Sequence, residues 1–209
     1  MARHVGGAAT QSIEVQVGQL FVALLEPEGS LNDAIREHRE NHYGGVFLGR
    51  GNLKSVEQVR RLTFRFRRHT PDVPPPIVCM DEEGGLVSTM GHLTATAPSA
   101  AALGVLDDEA VTKDVYIGMG EKLRALGCNT VFAPVLDVNS EPTNPVIGTR
   151  SFGARPELVA KHGLAAMAGL HEAGVVCCAK HFPGHGNTTL DSHKTLPVVQ
   201  ANRSTLDES

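Results

Sequence analysis

Short apolar runs alternate with longer amphipathic stretches along this chain, and the alternation restricts the folds that it can adopt. The apolar runs read as five strands, at residues 20–25, 45–48, 76–80, 130–138 and 174–179. Amphipathic stretches between them predict helices at residues 31–41, 55–69, 107–126 and 156–173. Strands that are apolar throughout are typical of a parallel sheet covered on both faces. The order of elements therefore predicts repeated βα units and an α/β fold.

Polar side chains follow the third, fourth and fifth of these strands at their carboxyl ends. Asp81 follows the third strand, Asp137 and then Arg150 follow the fourth, and the pair Lys180-His181 follows the fifth. In a (β/α)8 barrel successive strands each supply site residues at one end, whereas a doubly wound sheet gathers them at one switch point. No G-x-G-x-x-G or P-loop sequence follows a strand. The distribution favours a TIM barrel.

The chain is short for a whole barrel, which usually needs about 250 residues. Its 209 residues hold about five of the eight βα units. We therefore expect one domain, residues 1–209, that forms a partial TIM barrel and is incomplete at its C-terminal end. Residues 1–16 are expected to form a flexible N-terminal segment. A partial barrel of this kind would expose a sheet edge.

Composition and charge restrict the partners that the chain can have. The formal net charge of −4 gives no basic footprint for nucleic acid. Arginines 60, 61, 65, 67 and 68 are expected to form the solvated face of a helix. No apolar run reaches the ~18 residues that a membrane helix needs, so no membrane partner is expected. The sequence does not indicate an oligomeric state.

The four cysteines lie in or beside the predicted strands and include no C-x-x-C pair; they are Cys79, Cys128, Cys177 and Cys178. We expect buried, reduced thiols in a cytoplasmic protein, since residues 1–16 contain no secretory signal. A catalytic thiol at Cys177 or Cys178 is the alternative.

The segment 180–197, KHFPGHGNTTLDSHKTLP, brings lysine, histidine and aspartate side chains into a loop bounded by glycine and proline. Asp191 stands two residues before His193, so it can hydrogen-bond the imidazole and fix its tautomer. A histidine so oriented can donate a proton to a leaving oxygen at about pH 7 and take one back. A D-x-H pair alone is common on protein surfaces, but the preceding K-H-F-P-G-H-G makes it specific.

This segment resembles the signature of family 3 glycoside hydrolases, in the branch of β-N-acetylglucosaminidases. Three more segments resemble that family in the same order along the chain: IVCMDEEGG at 77–85, APVLDV at 133–138 and NPVIGTRSFG at 144–153. The resemblance spans residues 17–197. Bacterial members of that family often carry arginine at the positions that Leu86 and Thr89 occupy here, so this chain lacks any contact that those arginines make.

The resemblance implies that the protein removes terminal β-linked N-acetylhexosamine from a glycan by a retaining mechanism. His193 would be the proton donor and Asp191 its orienting partner, and the sugar would be bound by Asp81, Arg150, Lys180 and His181. Neither a metal ion nor an organic cofactor would be needed. The family's nucleophile is an aspartate on strand seven, expected in the missing part, so this chain alone is expected to be inactive.

The roles of two further residues are less specific. His185 would either hold the loop or contact the substrate, and the two roles are equally supported. Asp137 is expected to be mainly structural and to brace Arg150 or Lys180.

Three other functions stay open at this point. A metal hydrolase would use nitrogen and oxygen ligands from His181, His185, Asp191 and His193, although their spacing matches no helical zinc motif. A carbohydrate-binding protein without activity would account for the absent nucleophile but not for an intact D-x-H pair. The third function is phosphorolysis in place of hydrolysis. It stays open because a histidine proton donor, unlike a glutamate, does not repel an incoming phosphate.

Overall fold

The computed structural model describes residues 11–26, 30–69, 75–199 and 202–204. The helices are α1 (Ile13–Gly18), α2 (Leu31–Asn41), α3 (Val56–His69), α4 (Ala100–Leu106), α5 (Glu109–Ala125) and α6 (Pro156–Glu172). The strands are β1 (Val22–Leu24), β2 (Gly45–Phe47), β3 (Ile77–Cys79), β4 (Glu82–Gly84), β5 (Val87–Ser88), β6 (Thr130–Val131) and β7 (Val176–Cys177). Two 3-10 turns, Arg50–Asn52 and Gly148–Arg150, complete the described elements.

Five parallel strands lie side by side in the order in which the chain forms them. β1 pairs with β2, β2 with β3, and β6 with β7. Backbone hydrogen bonds join the two groups, from Asn129 N–H to the Val78 carbonyl and from Phe132 N–H to the Met80 carbonyl, both 3.1 Å. This sequential order has no switch point, which a doubly wound sheet requires. The described strands do not close into a barrel, because β1 and β7 each pair on one side only.

The helices begin where side chains can accept hydrogen bonds from their first backbone amides. Ser30 caps α2 and Ser99 caps α4, and both lie in extended backbone before the first turn. The helix predicted at residues 107–126 is found as α5, and α4 precedes it without having been predicted. Asp107 ends α4 in the left-handed conformation, and Asp108 then caps α5 through its side chain.

The core lies between the sheet and the helices, and its best-buried members come from both. Leu48, Met80 and Val131 contribute from the strand ends, while Leu123 and Leu170 contribute from α5 and α6. Strands β6 and β7 are shorter than predicted, although a further parallel bridge joins Val135 to Lys180. That bridge keeps the residues after β6 beside those after β7, where the candidate site lies.

The prediction of four buried thiols is correct for two cysteines. Cys79 and Cys128 are fully buried, and burial raises the pKa of each thiol to about 12. Cys177 is half-buried, and the prediction is wrong for Cys178, which is exposed. The reason is that β7 lies at the side of the described array, where no described strand covers it.

Candidate active site

Four charged side chains meet at the carboxyl ends of the strands and form what we call the charged cluster: Asp81, Glu83, Arg150 and Lys180. Arg150 donates two parallel hydrogen bonds to Glu83, from Nε at 2.8 Å and from Nη2 at 2.9 Å. Lys180 Nζ lies 2.5 Å from Glu83 Oε1 and 2.6 Å from Asp81 Oδ1. The cluster thus balances two carboxylates against two cations, with Glu83 as the shared partner.

Glu83 is the buried member of the charged cluster and was not predicted as a site residue. Burial raises the pKa of its carboxyl, but hydrogen bonds from Arg150 and the charge of Lys180 outweigh burial and hold the pKa below its usual value. The same pairing raises the pKa of Arg150. The signal in the sequence was the run Asp-Glu-Glu directly after a buried strand, of which only the aspartate was selected.

Asp137 organises the beginning of the loop that follows β7. Its carboxylate is fully buried and accepts hydrogen bonds from the backbone N–H groups of His181 (3.2 Å) and His185 (2.6 Å). His181 Nδ1 also lies 2.6 Å from Asp137 Oδ2. Although burial raises the pKa of Asp137, these hydrogen bonds outweigh it and leave the pKa lowered.

The prediction that Asp137 braces Arg150 or Lys180 is therefore wrong. Both cations form ion pairs with Glu83. The Asp137 carboxylate instead accepts hydrogen bonds from backbone amides of the loop. An indirect link remains. With Nδ1 protonated toward Asp137, His181 Nε2 is an acceptor, and it lies 3.3 Å from Arg150 Nη2.

Asn144 joins the turn that carries Arg150 to the loop after β7. Its Oδ1 accepts hydrogen bonds from the N–H groups of Val146 and Ile147, at 2.8 and 2.7 Å. Its Nδ2 donates to the His185 carbonyl at 2.7 Å. Residues 181–188, which we call the root of the loop, are thus held by side chains from the segment after β6.

The predicted acid–base pair lies further along, in residues 189–197, which we call the arm. Asp191 Oδ1 lies 2.8 Å from His193 Nδ1 and accepts the His193 backbone N–H at 2.9 Å. Those hydrogen bonds, the backbone one foremost, lower the pKa of Asp191. The contact leaves Nε2 of the imidazole free to face a substrate, since the carboxylate occupies Nδ1.

The structure brings Asp81, Arg150, Lys180 and His181 together but holds the pair in the arm apart from them. The His193 side chain is 78% exposed, and no hydrogen bond or ion pair among the described residues joins it to the charged cluster. The arm is tied to the root by His185, whose Nε2 lies 2.9 Å from Ser192 Oγ and whose Nδ1 lies 2.8 Å from Thr188 Oγ1.

A cavity of about 220 Å³ opens beside the root and is lined by residues 136–137 and 179–184. Its wall includes Asp137 and Lys180. In the described ranges, no group of three or more His, Cys, Asp or Glu side chains is arranged to hold a metal ion, and this covers the four ligands of the metal-hydrolase alternative. None of the described helices combines the length and apolar character that a membrane crossing requires.

Comparison with known proteins agrees with the motifs. The model of the glycosyl hydrolase family 3 N-terminal domain matches residues 12–209. The chain is 36% identical over 172 residues to β-hexosaminidase A of Pseudoalteromonas piscicida, covering 79% of this chain and 29% of that protein. It is 38% identical to a β-hexosaminidase of Neisseria meningitidis serogroup B, covering 78% and 46%. The chain thus spans less than half the length of these two relatives.

Solved structures give the same result. A family 3 β-N-acetylglucosaminidase from a Paenibacillus species superimposes with a TM-score of 0.87 at 39% identity, covering 94% of this chain and 38% of that one. NagZ from Neisseria gonorrhoeae in complex with N-trifluoroacetyl-D-glucosamine superimposes with a TM-score of 0.81 at 30% identity, covering 90% and 57%. With four motifs in order and a family model that matches nearly every residue, this chain belongs to the glycosyl hydrolase family 3 N-terminal domain family.

Proposed function

We propose that the chain is the substrate-binding and proton-transfer part of a retaining β-N-acetylhexosaminidase. The charged cluster and His181 would hold the hydroxyl groups of a terminal N-acetylglucosamine, through Asp81, Arg150 and Lys180. His193 would protonate the leaving oxygen, and Asp191 would keep the imidazole in the tautomer that presents Nε2. These groups supply proton transfer and orientation from side chains alone, so the proposal includes no metal ion or organic cofactor.

The observation that carries this proposal is the contact of His193 Nδ1 with Asp191 at 2.8 Å. The root of the same loop contains His181, which lies beside Arg150 of the charged cluster. A histidine held by a carboxylate on one nitrogen can exchange a proton through the other. A protein that only bound a sugar would have no use for such a pair. This argues against the binding-protein alternative.

The architecture we propose is a partial (β/α)8 barrel in which the described array supplies five of the eight strands. The sequential order of parallel strands and the site at their carboxyl ends support it. A retaining enzyme also needs a nucleophile about 5 Å from the acid–base group. We propose that an aspartate in the part of the relatives' length that this chain does not span supplies it.

The test is hydrolysis of a chromogenic β-N-acetylglucosaminide by this chain and by a form that includes the remaining strands. We expect activity only in the extended form, and a loss of about a hundredfold or more in its His193→Ala variant. The matched control is His171→Ala, an exposed histidine on α6. Full activity in His193→Ala would refute the assignment of the acid. Activity in the 209-residue chain would refute the assignment of the nucleophile.

A further inference from the structure

A groove of about 770 Å³ lies along α3, and none of its lining residues belongs to the candidate active site. We call it the arginine groove. One wall is the outer face of α3, where residues 57, 60, 61, 64, 67 and 68 recur at helical spacing. The other wall includes Arg124, in the last turn of α5. The sequence predicted a solvated helix face here, but the surface is concave.

The arginine groove contains more arginine side chains than carboxylates that could neutralise them. Glu57 lies in the groove and pairs with Arg61 at 2.5 Å. Among the described residues, the other four arginines of the groove form no ion pair; they are Arg60, Arg67, Arg68 and Arg124. These cations lie on a chain whose formal net charge is −4. A local field of opposite sign to the net charge attracts anionic groups to this one surface.

Phe64 gives the arginine groove an apolar centre. Its side chain is 64% exposed, and it stands between Arg60 and Arg67 along the same helix face. The inner face of α3 packs into the core through Val59 and Phe66. Phe64 lies on the opposite, exposed face and does not contribute to that packing. An exposed ring flanked by guanidinium groups can bury an apolar side chain while the arginines pair with carboxylates on either side.

We propose that the arginine groove binds an extended acidic segment of a protein partner. Arg60 and Arg67 are seven residues apart on the helix, which separates them by about 10 Å. In a segment with polyproline II conformation, residues three apart lie on the same face and are separated by about 9 Å. The occupant is therefore a segment with acidic residues at every third position and an apolar residue between them that contacts Phe64. A nucleic acid is disfavoured because its phosphates would continue past the groove, where a chain of net charge −4 repels them, whereas a short acidic segment stays within the groove.

The test is fluorescence anisotropy of a short labelled peptide in which Glu recurs at every third position around a central Leu. We expect micromolar binding by the 209-residue chain and no binding of the same peptide with Gln in place of Glu. The double variant Arg60→Glu, Arg67→Glu should weaken binding by about tenfold or more, because two attractions become repulsions. The neutral variant Arg60→Gln, Arg67→Gln should weaken it less, and Phe64→Ala should weaken it by about tenfold.

The matched control is the double variant Arg36→Glu, Arg39→Glu, which makes the same charge change on α2, outside the arginine groove. We expect it to bind the peptide as the unmodified chain does. Circular dichroism checks that each variant is folded. The proposal is overturned if the unmodified chain does not bind the peptide, or if the α2 variant loses as much affinity. It is also overturned if a single-stranded oligonucleotide of the same charge binds as tightly as the peptide.

Discussion

At the scale of single side chains, Asp137 should contribute to stability, because its buried carboxylate accepts three hydrogen bonds from the root of the loop. We expect Asp137→Asn to lower the free energy of unfolding by about 2 to 3 kcal/mol at neutral pH, since charge-assisted hydrogen bonds weaken when the acceptor becomes neutral. Chemical denaturation measures the change. Asp33→Asn is the control, because its pair with Arg36 lies at the surface and should contribute little.

The same carboxylate predicts how stability depends on pH. The pKa of Asp137 is lower in the folded chain than in the unfolded one, so its stabilisation is present above about pH 4 and is lost as the pH falls through the lower folded value. We expect Asp137→Asn to flatten the acid side of a plot of melting temperature against pH. An unchanged acid slope in that variant would contradict the assignment.

Glu83 and Glu82 offer a matched pair for testing the charged cluster. Glu83→Gln removes the charge that Arg150 and Lys180 share, and we expect it to weaken binding of N-acetylglucosamine by about tenfold under the proposed function. Glu82→Gln should leave binding unchanged, since Glu82 accepts from Ser88 and from the Met90 N–H instead. Its pKa is raised by burial, so losing its charge costs less stability. Calorimetric titration compares the two variants, and equal losses would contradict the role of Glu83.

Candidate site residues near strand ends could be identified from the sequence, but their hydrogen-bond and ion-pair partners could not. The family resemblance implied Asp81, Arg150, Lys180 and His181 as sugar-binding residues, all of them at or beyond strand ends, and they do lie together. Glu83 was missed and Asp137 was given the wrong partner, because pairing depends on how far the chain turns after each strand. That turn is set by contacts between segments far apart in the chain, such as Asn144 with His185.

Among the loops, the arm should be less protected than the root. Asp137 and Asn144 hold the root, whereas His185 and Ser192 supply the link from root to arm. We expect Ser192→Ala to speed amide exchange in residues 189–197 and to leave residues 181–186 unchanged, because only the link is removed. Hydrogen exchange read by mass spectrometry measures both regions.

The control for the arm is Thr189→Ala, which shortens a side chain in the same segment without touching the contact between His185 and Ser192. It should leave exchange in the arm as it is. Faster exchange in the root of the Ser192→Ala variant, or equal rates in both variants, would count against this division of the loop.

Elements with a strong local signal were placed well by sequence. The α2 helix has the predicted bounds, and α3 and α6 differ from theirs by one residue. The α4 helix was missed, since its sequence is apolar on all sides and shows no helical period. Strand lengths were overestimated because regular pairing can be interrupted inside an apolar run: after β6 the run contains Pro134, which has no N–H to donate, and the parallel bridge resumes at Val135.

For the molecule as a whole, the two sides of the described array are the features that should govern association. β1 and β7 each leave one side unpaired among the described strands, and Leu24 on β1 is 58% exposed. Unpaired strands with apolar side chains are templates for pairing with another copy. We expect the 209-residue chain to associate as its concentration rises, as seen by light scattering after size-exclusion chromatography, and Leu24→Lys to reduce this association.

Leu106→Lys is the control for that experiment, because Leu106 at the end of α4 is also 58% exposed but lies on no strand. If both lysine variants reduce association equally, general hydrophobicity and not strand pairing is responsible. The sequence predicted an exposed sheet edge from the number of strands, but which side chains lie on it required the structure.

Asp137 also connects the charged cluster to the arm through its contacts with two histidines. It fixes His181, which contacts Arg150, and it holds the backbone of His185, from which the arm extends. Free-energy coupling between two sites works equally in both directions. If a ligand held by Arg150 raises the equilibrium constant for ordering the arm by some factor, ordering the arm raises the affinity for that ligand by the same factor. Substitutions in the arm that never touch the ligand should therefore change its affinity.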